Sequence, residues 1–109
     1  MEDLTKNEEL LLLSIWRLKE EAYGITIRKN VMETTQRKLH YGSMYNTLYK
    51  LVKKGFVVTD KSDPESKRGG RSKVLYYLTR DGKKALKESQ KIHELAWDGI
   101  PDYAFDREQ

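Results

Sequence analysis

The segment Lys67-Arg68-Gly69-Gly70-Arg71-Ser72-Lys73 lies between two short apolar runs, residues 56–61 and 74–78, and sets four cations around a glycine pair. Two such runs joined this way read as the strands of a β-hairpin with a basic tip. The glycines let the backbone turn and approach a partner without Cβ clashes, and clustered cations suit a polyanion. Immediately upstream, residues 41–54 carry a helical pattern. A helix followed by a basic hairpin is the arrangement of a recognition helix and its wing, which points to nucleic acid.

The remaining sequence is compatible with that unit. The chain has 109 residues, 38% of them apolar, which makes one small domain with a modest core and makes self-association unsurprising. There is no cysteine, and the two histidines, His40 and His93, are far apart in sequence, so no metal site and no cofactor are expected. No apolar run approaches the roughly 20 residues of a membrane span. The acidic start Met1-Glu2-Asp3 lacks the cationic region of a secretory signal. A soluble protein of the reducing cytoplasm is the expectation.

Charge is segregated along the chain. Residues 28–84 hold 15 Lys and Arg against 5 Asp and Glu, a net +10, whereas residues 1–27 and 85–109 are each at −3. A basic middle between acidic ends fits a module that presents one face to phosphate, although an ordinary solvated charged surface is the plainer alternative.

Thr5 and Glu8 have the spacing of a capping box and open a first helix. Leu11, Ile15, Leu18 and Ala22 recur at helical spacing, Leu12 and Trp16 widen the stripe, and Arg17, Lys19 and Glu20 take the other side. Trp16 is thus expected in the core. Leu10 and Leu13 lie outside the narrowest stripe, and either face a partner chain or are buried within the subunit. Tyr23-Gly24 breaks this helix. Ile25, Ile27 and Val31 resume an apolar face to about Thr35, with Arg28, Lys29 and Glu33 turned outward.

After the polar residues 34–38, Leu39 re-enters the core, and Met44, Leu48, Leu51 and Val52 mark a third helix that stops before Gly55. At 100° per residue, the face opposite this stripe carries Gly42, Ser43, Asn46, Lys50 and Lys53. Small residues near a helix start permit close approach to a groove, Asn pairs with adenine, and Lys contacts guanine or phosphate. Tyr41, Tyr45 and Tyr49 flank that face, where a phenol combines core packing with a phosphate contact. Tyr45 lies nearest the core boundary, and a structural and a functional role both stay open for it. Beyond the hairpin, Thr79 offers an N-cap to a last helix through Ala85, Leu86, Ser89, Ile92, His93 and Ala96.

The order helix, helix, helix, strand, basic loop, strand, helix is that of a winged helix-turn-helix: mainly α, with one small β-hairpin and a C-terminal helix. Four stretches carry a closer resemblance. They are Ala22-Tyr23-Gly24-Ile25-Thr26-Ile27, Tyr41-Gly42-Ser43-Met44-Tyr45-Asn46-Thr47-Leu48, Lys67-Arg68-Gly69-Gly70-Arg71 and Tyr76-Tyr77-Leu78-Thr79-Arg80-Asp81-Gly82. Over roughly residues 8–90 the sequence resembles the PadR family of bacterial transcriptional regulators, of the short-tailed type that leaves no room for a larger ligand-sensing C-terminal domain.

That resemblance implies a homodimeric repressor with a DNA-binding domain over residues 1–80 and a dimerisation helix and tail over 81–109. The expected DNA face comprises Tyr23, Tyr41, Gly42, Ser43, Tyr45, Asn46, Tyr49, Lys50 and Lys53, with Lys67, Arg68, Gly69, Gly70, Arg71 and Lys73 from the wing; of these, Tyr45 and the wing from Arg68 to Arg71 fall on positions the family's pattern uses for DNA. Leu10, Leu13, Ile92, Leu95 and Trp97 fall where a dimer contact or effector site is expected. His40 stands where family members often place a capping serine, so the helix start is expected to be looser. Trp97 reads either as a packed interface residue or as a stacking partner for a small aromatic effector. The aromatics Tyr103 and Phe105 suggest that the tail docks on something.

The leading expectation is therefore a dimer that binds a pseudo-palindromic site in double-stranded DNA. The alternative is a winged-helix protein-interaction module without specific DNA binding, and nonspecific binding of nucleic acid, RNA included, carries less weight. Catalysis is not expected, because no acid, base, nucleophile or phosphate-binding loop converges.

Overall fold

The computed structural model describes residues 3–61 and 73–101, which form four α-helices and a two-stranded hairpin. Helix α1 (Lys6–Leu18) opens as the capping box predicts. The Thr5 N–H donates to Glu8 Oε1 at 2.9 Å and the Glu8 N–H donates to Thr5 Oγ1 at 3.1 Å. The helix stops earlier than the Tyr23-Gly24 break, because Lys19 turns to positive φ and a 3₁₀ turn (Lys19–Glu21) carries the chain to α2 (Gly24–Thr35). Helix α3 (Tyr41–Lys53) ends on Gly55 at φ +81°. There the Gly55 N–H donates to the Val52 carbonyl and the Phe56 N–H to the Leu51 carbonyl, the paired bonds that satisfy the last turn of a helix.

Strands β1 (Val57–Lys61) and β2 (Val74–Leu78) pair antiparallel, from Val57 opposite Leu78 to Lys61 opposite Val74. A lone hairpin is marginal in water and needs support. It comes from the segment before α2: the Tyr76 N–H donates to the Ala22 carbonyl at 2.9 Å, and Tyr23 bridges Leu75. Helix α4 (Arg80–Trp97) begins at Thr79, whose hydroxyl accepts from the Gly82 N–H at 3.0 Å and donates to the Gly55 carbonyl at 2.7 Å.

Leu11, Leu12, Ile15, Ile27, Met44, Leu48, Leu51 and Val57 form the fully buried centre of the core. Each contributes about 1.5–3 kcal/mol by leaving water. Leu10, Leu13, Leu18, Met32, Val52 and Leu78 pack around them half-buried. Among these, Leu10 and Leu13 are partly buried against this core.

Two apolar residues expected inside lie outside. Trp16 is 38% exposed, with the Lys83 ammonium over its ring at 5.4 Å, because the turn that buries Leu12 and Ile15 carries it past the edge of the core. Ile25 is 59% exposed, since the buried side of α2 runs through Gly24, Ile27 and Val31. From Gln90 to Pro101 every residue is exposed, so α4 leaves the body after its first turns have buried Ala85 and Leu86.

The buried polar groups are matched. The Ser14 hydroxyl reaches the Ile27 carbonyl at 3.4 Å. Glu8, 4% exposed, is 2.8 Å from the Lys54 ammonium. Burial opposes the charge on Glu8, but the bonds from Lys54 and Thr5 outweigh it, and the carboxyl titrates below its ordinary value. This pair ties the start of α1 to the end of α3.

Candidate nucleic-acid interface

The face of α3 away from the core is built as the helical spacing requires. Met44, Leu48 and Leu51 fix the helix on the body, and Gly42, Ser43, Asn46, Lys50 and Lys53 are all exposed on the other side. No atom lies within 4 Å of where a Cβ on Gly42 would sit, so that turn is open to a partner. The N-cap residue His40 makes no side-chain capping bond, as expected of imidazole there. The first-turn N–H groups are therefore left facing outward.

The tyrosines are set by specific neighbours. Tyr41 and Tyr45 lie nearly parallel, with centroids 6.2 Å apart. The Tyr45 hydroxyl rests on Gly24, where a Cβ would run into it and come within 2.8 Å of Cζ. Gly24 is buried for this reason, and Tyr45, though 45% exposed, is held between α3 and the start of α2. The Tyr76 phenol behind it is pushed above its ordinary pKa, by burial first and by the proximity of the Tyr45 phenol second. Tyr49 is 64% exposed and carries the Lys53 ammonium over its ring at 5.4 Å. Tyr45 is thus both packed on Gly24 and open to solvent on its other side.

Tyr23 enters the same surface from the start of α2. Its N–H donates to Thr26 Oγ1 at 3.0 Å, and the Lys73 ammonium stands 4.3 Å from its ring centroid. The base of the wing is thereby joined to α2. The wing residues Lys67, Arg68, Gly69, Gly70 and Arg71 lie outside the described residues, as do Tyr103 and Phe105 of the tail.

Arg28 corrects the sequence reading. Instead of turning outward with Lys29 and Glu33, it is half-buried, its Nε–H donating to the Leu39 carbonyl at 2.6 Å and its guanidinium 4.4 Å from the Tyr41 centroid. Helical periodicity places the Cα of Arg28 on an outer face but does not record how far a long side chain reaches. The only hint in the sequence is the weak cap at His40, which leaves the entry to α3 needing another tether.

On α4, Ile92, Leu95 and Trp97 are 49%, 67% and 54% exposed, and the His93 and Trp97 rings are 6.0 Å apart. Ile92 and His93 line a shallow cavity with Leu4, Lys6 and Glu9 from the start of the chain. No group of three or more His, Cys, Asp or Glu among them is placed to hold a metal, and none of their helices is long and apolar enough to cross a membrane.

A helix with a polar exposed face, seated on two others and followed by a hairpin and a closing helix, defines a winged helix-turn-helix of the DNA-binding class. The chain belongs to the PadR-like family of transcriptional regulators, whose family model matches residues 12–88. It is therefore a regulator of transcription and not an enzyme.

Solved structures agree. A PadR family transcription regulator from Clostridium difficile is 28% identical with a TM-score of 0.69, over 82% of this chain and 88% of that one. A transcriptional regulator from Clostridium thermocellum reaches a TM-score of 0.72 at 19% identity, over 89% and 91%. RosR of H. salinarum superposes at 0.68 with 24% identity, over 95% and 86%. The last two likenesses concern the fold alone. No curated protein matches the sequence.

Proposed function

We propose that the chain is a cytoplasmic repressor that binds a pseudo-palindromic operator as a homodimer. Its two α3 helices would enter successive major grooves about one helical turn apart, roughly 34–36 Å. Gly42, Ser43, Asn46 and Lys50 face the bases, while Tyr41, Tyr45, Tyr49 and Lys53 hold the phosphates on either side. Tyr23 and Lys73 extend this face to the wing, where Lys67, Arg68, Gly69, Gly70 and Arg71 meet the neighbouring backbone and minor groove. The observation that carries the reading is the exposed outer face of α3, polar at Ser43, Asn46, Lys50 and Lys53, open at Gly42 and bordered by three tyrosines.

Residues 1–80 form the DNA-binding unit and residues 81–109 the dimerisation helix and tail. The exposed apolar residues Ile92, Leu95 and Trp97 of α4, with Leu10 and Leu13 of α1, supply the self-association surface. Repression follows from occupancy of promoter DNA. A small flat aromatic effector would stack on Trp97, half exposed beside His93.

Gel-shift titration against mixed genomic fragments at moderate salt tests the reading. A subset should be retained saturably over competitor DNA at two protomers per site. Uniform retention of all fragments would leave nonspecific binding, and no retention would leave a protein-interaction module.

A further inference from the structure

The start of α3 is exposed on most sides. Tyr41 is 41% exposed, Gly42 and Ser43 are open, and His40 provides no capping bond. Ser, Thr, Asp or Asn at an N-cap would tie the first turn to its own backbone, and here that tie is missing. The residues that enter the groove first are thus fixed least by their own helix. What holds them is a side chain from α2. Arg28 grips the Leu39 carbonyl, one residue before the cap, and lays its guanidinium over Tyr41, the first residue of the helix. Tyr41 in turn lies nearly parallel to Tyr45, whose hydroxyl is seated on Gly24.

We propose that Arg28 is a positioning residue for DNA recognition: it tethers the segment that leads into α3 and sets the Tyr41–Tyr45 pair, without being a phosphate contact itself. The proposal rests on the reading of α3 as the DNA face. Arginine suits the task because its planar fork can donate from Nε and stack on a ring at the same time. A lysine would keep the charge but do neither together. The Arg28 Nε–H is engaged by a carbonyl and its flat face by a phenol ring, which makes it a brace within the protein, and the salt slope separates that role from a phosphate contact through its Nη groups.

The two roles separate in measurement. A phosphate contact strengthens binding to every duplex alike and contributes about one unit to the log–log salt slope. A positioning residue acts on the fit of α3 to bases, so its loss lowers affinity for the preferred site more than for random DNA, where only the uncharged Tyr41 and Tyr45 contacts are disturbed, and leaves the salt slope unchanged.

The test uses the full chain and two duplexes, one selected from a random pool for tight binding and one scrambled. Arg28→Ala should bind the selected duplex about tenfold more weakly, a loss of about 1.4 kcal/mol. The scrambled duplex should lose clearly less, at an unchanged slope. Arg28→Lys should fail to restore binding, and Tyr41→Phe, which keeps the ring and loses only the hydroxyl that meets phosphate, should weaken both duplexes alike and keep their ratio. In the free protein, amide exchange at Met44, bonded to the His40 carbonyl at 2.9 Å, should accelerate in Arg28→Ala while Leu48 and Leu51 keep their protection.

Equal loss on both duplexes with a slope lower by one unit and rescue by lysine would overturn the proposal, as would unaltered exchange at Met44. Asn46→Ala and Lys50→Ala run in parallel. If these weaken selected binding and Arg28→Ala does not, Arg28 alone is rejected; if none of the three matters, the DNA face itself is misassigned. Tyr41→Leu, compared with Tyr41→Phe so that the hydroxyl is absent from both, removes the ring from the other side of the contact and keeps the test open should Arg28→Ala fold poorly.

Discussion

Replacing Gly24 with alanine should expose the coupling between α2 and α3 in one thermodynamic cycle. Gly24 has ordinary backbone geometry at the first position of α2, so alanine there gains about 0.4–1 kcal/mol by restricting the unfolded chain. Against this, the new Cβ would run into the Tyr45 hydroxyl, within 2.8 Å of Cζ and 3.3 Å of Cε1. Overpacking costs about 1–3 kcal/mol, and the low end applies because Tyr45 is 45% exposed and its ring has solvent to swing into. Gly24→Ala should therefore be near neutral to mildly destabilising in the natural background, by about 0–1 kcal/mol. In a Tyr45→Ala background the obstacle is gone, and the same substitution should stabilise by about 0.4–1 kcal/mol. Urea unfolding of the four proteins measures the difference, an interaction of about 1 kcal/mol or more. Equal effects in the two backgrounds would refute the seating of Tyr45 on Gly24, and with it the account of how that phenol is aimed.

The remaining predictions concern the frame that carries the site. Gly82→Ala should cost about 2 kcal/mol or more, read by thermal unfolding, because its Cβ would meet the Phe56 carbonyl oxygen and come within 2.7 Å of Leu78 Cδ1, where the backbone cannot yield. The Glu8–Lys54 pair should give a pH dependence of defined sign. Because the folded carboxyl titrates below its ordinary value, its contribution is complete above the unfolded pKa of about 4.3 and is lost as pH falls through the lower folded one. Lys54→Met should destabilise by about 1–3 kcal/mol at neutral pH, since it leaves a buried carboxylate without its cation, and should move the acid loss to higher pH. Urea midpoints between pH 3 and 7 for the two proteins decide it.

Much of this architecture was legible because it rests on local chemistry. The Thr5/Glu8 box, the Gly55 terminus, the Thr79 cap and the Met44-Leu48-Leu51 stripe are each set by residues within a turn or two of one another, and all four occur as expected. Reading failed where the outcome depends on a neighbour distant in sequence. Trp16 and Ile25 fit helical stripes, but the width of the core is set by the elements packed across them, and both lie beyond its edge. Arg28 fits an outer face, yet its length lets it reach Leu39 and Tyr41, eleven and thirteen residues on. The seat of Tyr45 on Gly24 is likewise invisible to periodicity, which reads Tyr23-Gly24 only as a helix break. Within the site, the exposed face of α3 was read in full, whereas the side chains that aim it were not.

The central claim is that this face distinguishes one DNA sequence from another. Its most direct test is the ratio of affinities for a selected and a scrambled duplex, measured at fixed salt for the natural protein and for Asn46→Ala. A bidentate base contact is worth about 1–3 kcal/mol of discrimination. Asn46→Ala should therefore lower the ratio by roughly 5- to 150-fold through weaker selected binding, with the scrambled duplex bound as before. An unchanged ratio for Asn46→Ala, followed by an unchanged ratio for Ser43→Ala and Lys50→Ala, would contradict it.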